Sequence, residues 1–330
     1  MGQRANLVLI ENGEWQLFYD HWIANSLHYE LLWGPSITVD YLRGMHKQEP
    51  DSWLDEIWCE GAALVDLDRK HLLWFAWEIA YCWHEIDALM ALLRYQWQGW
   101  TVGWAWQGLV DFVRYLGLPD HLVIDPNWEQ PKIRLVEQTD FDEDSTTLAS
   151  YKQHGEYRVG RIFGWGGLSS ELDGDDLAAS LALLQATELV WPEAIDGPQY
   201  GIHFDCDSQT IYYWQTQVLS LGPERLAALW PNWKTVYLFD NPLQKHLALL
   251  PLNIRIERPD RLTLQRGLIT NLGHHYTRGV SNPITKVAER LQQEGKAVQI
   301  NPYTFYSAAS VRDAEKQAIL QDLEARLPID

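Results

Sequence analysis

The chain has few cysteines, few cations and no long apolar run, and each shortage closes a class of function. Its three cysteines, Cys59, Cys82 and Cys206, stand far apart in 330 residues. They support neither a disulfide framework nor a Cys-x-x-Cys zinc site, which fits a reducing, cytoplasmic setting. No apolar run approaches the roughly 18 residues that a membrane-spanning helix needs. Leu7 to Ile10 is too short for a signal core, and Asn6 stands where N-myristoylation wants Ser or Thr. Lysine and arginine number 26 against 45 acids, a formal net charge of -19. That surplus opposes general binding to nucleic acid or to anionic membrane, and suits a basic protein partner or simple solubility. Familiar catalytic signatures are missing as well. There is no Gly-x-Ser-x-Gly elbow, no His-Glu-x-x-His helix and no dinucleotide fingerprint, and Gly164-Trp-Gly-Gly167 lacks the Gly-Lys-Ser/Thr of a phosphate loop.

Tryptophan, by contrast, is abundant, with 18 copies. Two pairs of them share a setting. Trp97-Gln-Gly-Trp100 precedes a predicted strand, Thr101 to Trp106, and an apolar-striped helix, Leu109 to Leu116. Trp230-Pro-Asn-Trp233 precedes Thr235 to Phe239 and Leu243 to Leu250 in the same way. Upstream of each lies a hairpin and a helix: Glu60 to Phe75 with Ile86, Leu89, Met90 and Leu93 on one helical face, and Tyr200 to Trp214 with a helix opened by Gly222-Pro223. Asp66-x-Asp68 matches Asp205-x-Asp207, and Trp74 is set against Trp214 with one residue inserted. Asn12-Gly13, well suited to a type I′ turn, marks a further hairpin over residues 7–19, matched less closely by 157–169.

The expected fold is therefore α+β: two pseudo-repeated halves of hairpin–helix–strand–helix units with largely antiparallel sheets, and a C-terminal α/β extension. The expected divisions are a first half at 1–125, an acidic solvated linker at 126–155, a second half at 156–252 and the extension at 253–330. Within the extension, Pro283 opens a helix that Gly295 closes, Ala297 to Phe305 reads as a strand, and a terminal helix follows Ser310-Val-Arg-Asp313.

Candidate chemistry concentrates where the halves differ. His203, Asp205 and Asp207 alternate on one strand face, so an imidazole and two carboxylates could hold a divalent metal or exchange protons. The alternative is that both aspartates support a hairpin turn, and Leu64 in place of His203 in the first half favours it. Trp100, Trp104 and Trp106 line one face and could stack a ligand, or close a core. His274, His275 and Arg278, preceded by several arginines, could bind an anion or dock the extension on acidic surface. No cofactor is implied beyond that divalent metal. The leading expectation is a non-catalytic intracellular interaction protein, such as an inhibitor or immunity protein for a basic partner. A hydrolase or metal-dependent phosphoesterase using His203, Asp205 and Asp207, and an aromatic-platform binding module, are the alternatives.

Overall fold

A computed structural model describes residues 3–81, 83–125, 147–162, 184–191, 197–216, 218, 220–278, 283–298 and 312–329. The chain opens with a hairpin, β1 (Ala5–Glu11) and β2 (Glu14–Asp20), then two short helices, α1 (Leu27–Leu32) and α2 (Pro35–Arg43), and an edge strand, β3 (Lys47–Gln48). A second hairpin, β4 (Gly61–Asp66) and β5 (His71–Ala76), leads through α3 (Trp77–Tyr81) and α4 (Trp83–Gln96) to β6 (Thr101–Trp104) and α5 (Leu109–Tyr115). The six strands form one sheet in the order β3-β2-β1-β4-β5-β6.

A second sheet, of five strands, repeats the connectivity of β1, β2, β4, β5 and β6. Its hairpins are β7 (Thr147–Gln153) with β8 (Glu156–Ile162), and, after β9 (Glu188–Trp191), β10 (Tyr200–Asp205) with β11 (Thr210–Gln215). Then come α6 (Gly222–Leu229), β12 (Lys234–Tyr237), α7 (Pro242–Ala248) and β13 (Asn253–Ile256). The order is β12-β11-β10-β7-β8, while β9 and β13 make a separate two-stranded sheet. The α+β class holds, but the sheets are mixed. Hairpins are antiparallel within themselves, whereas β1 joins β4, β5 joins β6, β7 joins β10 and β11 joins β12 in parallel. The physical reason lies in the connections. The segments between successive hairpins, and those leading into β6 and β12, are long enough to cross the sheet and return in the same direction.

Registers correct two details of the sequence comparison. Ile10 pairs with Asp66 and Lys152 with Asp205, and the following turns close on His71 and Thr210. The turns are thus equally long, nothing is inserted, and Trp74 corresponds to Tyr213 while Trp214 corresponds to Phe75. The counterpart of the first hairpin is 147–162 and not 157–169, so residues 147–155 are strand and turn where a linker was expected. His154-Gly155 hides this turn, because histidine stands where the first hairpin has asparagine. Its φ of +53° nevertheless matches the +56° of Asn12, and Gly155 matches Gly13 at +77°.

What holds both turns is a carboxylate from the neighbouring hairpin. Asp68 accepts the backbone N–H groups of Asn12 and Gly13 at 2.9 and 2.7 Å. Asp207 accepts those of His154 and Gly155 at 2.6 and 3.0 Å. Two charge-assisted bonds on consecutive amides offset the strain of a non-glycine residue at positive φ.

The chain divides into two compact units: residues 1–76, 87–104 and 260–330 carry the six-stranded sheet, and residues 77–86 and 105–259 carry the other two sheets. In the first unit Phe18, Trp33, Trp74, Phe75 and Trp97 are fully buried. In the second, Ile202, Phe204, Ile211, Tyr213 and Trp230 fill one face of the sheet, and Leu148, Val159, Trp191, Trp214 and Leu243 fill the other. Both Trp-x-x-Trp pairs pack edge to face, Trp97 on Trp100 at 4.9 Å and Trp230 on Trp233 at 6.0 Å between centroids.

The extension contains α8 (Arg261–Arg278), α9 (Pro283–Gln293) and α10 (Asp313–Arg326). Helix α9 opens at Pro283, and Gly295 stands beyond its end at φ +75°. Helix α8 buries Gln265, Leu268, Ile269 and Leu272, a helical stripe interrupted in sequence by Gly267 and Gly273. The Gln265 amide both donates to the Ile329 carbonyl at 2.7 Å and accepts its N–H at 3.0 Å, tying the C-terminal segment to α8. Residues 299–305 of the expected strand and the acidic stretch 137–144 lie outside the described residues.

Removing either carboxylate tests the turn clamp. Asp68→Ala and Asp207→Ala should each lower the melting temperature by a few degrees in thermal unfolding followed by circular dichroism. Unchanged melting in both would mean that the turn tips are held by other contacts.

Candidate functional site

Asp205 and Asp207 share Lys152, at 3.3 and 3.6 Å, whereas His203 bonds Ser150. The Asp205 carboxylate accepts the N–H groups of Asp207 and Ser208, both at 3.1 Å, and pairs with Lys152 at 3.3 Å. Asp207 holds the His154-Gly155 turn. Hydrogen bonds to the charged form keep both carboxyls below the usual carboxylate range: the Ser208 amide and Lys152 at Asp205, the Gly155 and His154 amides at Asp207. His203 instead faces the interior, 2% exposed. Among the described residues no group of three His, Cys, Asp or Glu side chains could hold a metal ion.

His203 belongs to a buried polar chain whose other members are far away in sequence. Ser150 is its direct partner across the parallel β7–β10 pair. The Ser150 Oγ lies 2.9 Å from His203 Nδ1 and 2.8 Å from Nε2 of His246, on α7. The Trp214 indole N–H donates to His246 Nδ1 at 3.0 Å. That last bond sets the direction of the rest, because an indole N–H can only donate. His246 must therefore carry its proton on Nε2 and donate to Ser150, whose hydroxyl donates to His203 Nδ1. Desolvation lowers His203 from 6.5 to about 4 and His246 to about 3, so both rings are neutral at pH 7.

The equivalent positions of the first unit's sheet, and of the helix after it, are apolar throughout. Val8 pairs with Leu64 where Ser150 pairs with His203, Phe75 stands for Trp214, and Val113, fifth residue of α5, stands for His246, fifth residue of α7. One further exchange makes room for the polar set. A Cβ on Gly201 would lie 2.0 Å from Trp214 Nε1 and 2.6 Å from His246 Nδ1. In the first sheet this position is Ala62, facing the smaller Phe75. Ser150 has no exposed surface, and its hydroxyl serves to bond α7 to the sheet through aligned groups. Burial also raises the thiols of Cys59, to about 12, and Cys206, so neither is an activated nucleophile.

The remaining candidates separate by burial. Trp104 is buried edge to face on Trp74 at 4.9 Å. Trp100 is partly buried against Trp97, and the Trp106 indole donates to Asp240 at 3.2 Å. His275 bonds Glu30 at 3.1 Å and stacks on Tyr29, while His274 is exposed. Arg278 closes α8, and its side chain lies outside the described residues.

Sequence reasoning passed over one surface feature. Trp22 and Trp58 are 56% and 54% exposed, in loops at one end of the six-stranded sheet. Comparison with known families, curated proteins and solved structures finds no match.

Two outcomes follow from the buried chain. Gly201→Ala should destabilise the protein by about 1–3 kcal/mol, read from denaturant unfolding, because it overpacks a rigid contact. Both imidazoles titrate near 6.5 once unfolded, so acid loads the unfolded state first and stability falls as pH drops below 6.5 towards the folded values. Substituting the matched apolar set (Ser150→Val, His203→Leu, His246→Val, Trp214→Phe, Gly201→Ala) should flatten that slope above about pH 4.5, where carboxylates contribute little. The part due to His28, buried in the first unit and lowered to about 3, should persist. An unaltered slope would remove the chain from the account of acid sensitivity.

Proposed function

We propose that this is a non-catalytic interaction protein whose acidic surface meets a basic protein partner, in the manner of an inhibitor or immunity protein. The observation that carries the reading is the carboxylate surplus, 45 acids against 26 cations. Many described cations are already committed. Arg43 pairs with Glu11, Arg114 with Asp120 and Glu224, Lys152 with Asp205 and Asp207, Arg158 with Glu156, and Arg312 with Asp40 and Glu315. Glu14, Glu49, Asp51, Glu78, Glu188 and Glu324 stand at exposed positions. Surface pairs of this kind add little stability, so a charge excess of this size acts chiefly through the field it projects. Such a field accelerates encounter with a positively charged partner and repels nucleic acid.

The alternatives draw less support. A phosphoesterase built on His203, Asp205 and Asp207 needs them around one centre, and the two carboxylates hold Lys152 and turn amides while His203 bonds Ser150 in the interior. An aromatic platform on Trp100, Trp104 and Trp106 needs open ring faces, and Trp104 has none to offer.

Association kinetics with basic proteins of isoelectric point above about 9 test the proposal. The association rate constant should fall by about tenfold or more between low salt and ~0.5 M salt. Rates indifferent to salt, or equal rates for acidic proteins of the same size, would remove the charge surplus as the basis of recognition.

A further inference from the structure

The proposed role leaves open where the partner sits, and the two exposed tryptophans bear on that question. The chain buries Trp33, Trp74, Trp97, Trp191 and Trp214 completely, yet leaves Trp22 and Trp58 more than half exposed. The loops that carry them are neighbours in space. Residues 3 and 4 run between the two loops: Gln3 bonds His21 and Ala24 on one side, and Arg4 bonds Glu60 on the other. Successive residues of an extended strand direct their backbone groups to opposite sides. The two loops are therefore about two strand spacings apart, roughly 10 Å.

Both loops are fixed. Asp20 accepts the N–H groups of Trp22 and Ile23 at 2.7 and 2.9 Å, and Asp55 accepts those of Ile57 and Trp58 at 3.0 and 3.1 Å. The backbone that carries the rings is thus pre-ordered, and docking there orders little additional chain. The charges carried by the two loops are acidic: Asp20 binds the Trp22 amide, and Asp55, Glu56 and Glu60 bracket Trp58 in sequence. Arg4 is the exception between them, and its guanidinium lies over the Trp58 ring at 4.7 Å. The patch thus already displays, within the chain, a guanidinium stacked on indole beside carboxylates.

We infer that Trp22 and Trp58, with the carboxylates of Asp20, Asp55, Glu56 and Glu60, form the docking surface for an arginine- or lysine-bearing segment of the basic partner. The inference rests on the interaction reading above and locates it. Cations stack on the indole faces while adjoining positive charges meet Asp55, Glu56 and Glu60. A second copy of this chain is a poor occupant, since each copy carries a net charge of -19.

Calorimetric titration at low salt with a nona-arginine peptide provides the test. Trp22→Ala combined with Trp58→Ala should weaken binding by about 3- to 30-fold, the range from an exposed to a desolvated cation–π contact. A control pair elsewhere on the surface, Val190→Ala with Val287→Ala, should leave it unchanged. Phe at both tryptophan positions should retain most of the affinity, whereas Leu, apolar but without a π face, should behave as Ala does. Salt-sensitive binding that the double Ala and double Leu variants keep in full overturns the docking surface and leaves the acidic-surface reading standing. Absence of peptide binding to the unaltered protein overturns both. Self-association of the unaltered protein that the double Ala variant abolishes, seen by sedimentation, assigns the patch to a second copy and overturns the inference.

Discussion

The fold depends on a carboxylate reaching from one hairpin to the tip of the next. A hairpin fixes its own register through its turn, but parallel neighbours such as β1 and β4 have no such tie. A slip of one residue would send every side chain of the strand to the opposite face. Asp68 prevents the slip in one sheet and Asp207 in the other, each seizing two consecutive amides at the end of the parallel pair. Backbone bonds from Leu67 to Ile10 and from Cys206 to Lys152 extend the ladder up to that clamp. With register set there, the inner strands can be apolar on both faces without ambiguity, and helices can cover them.

Against this frame, the polar chain of the second sheet is an exchange made at matched positions. Val8, Leu64, Phe75, Val113 and Ala62 become Ser150, His203, Trp214, His246 and Gly201. The exchange succeeds because it is complete. The indole N–H, both imidazole acceptors and the hydroxyl are satisfied in one direction, and the glycine supplies the space. A partial version would strand a buried polar atom, at about 1–3 kcal/mol.

Local signals made much of the fold readable from the sequence. Asn12-Gly13 announced the first hairpin, Pro283 and Gly295 bounded α9, and the stripe through Ile86, Leu89, Met90 and Leu93 gave α4. Where the signal was atypical, the element was missed: β7 hides behind a His-Gly turn, and α8 behind two internal glycines. Parallel joins are decided by where helices return the chain, which no local pattern records. The contrast between His203 and Leu64 directed attention to the right strand but not to Ser150 and His246, whose meeting is a product of topology. Nor does tryptophan content say which rings are buried. Trp104 and Trp22 read alike in sequence, and only the loop position of Trp22 leaves its ring in solvent.

The polar chain also changes what kind of constraint acts on α7. A helix seated by aliphatic packing alone, as a valine at its fifth position allows, can slide or rotate slightly and find other acceptable seats, since dispersion has no direction. His246 is bonded at both ring nitrogens, to groups on two different strands. Moving α7 by one turn, about 5.4 Å, would break both bonds at once. The second sheet therefore has a helix with a single address, and slow amide hydrogen exchange along α7 would be its physical record.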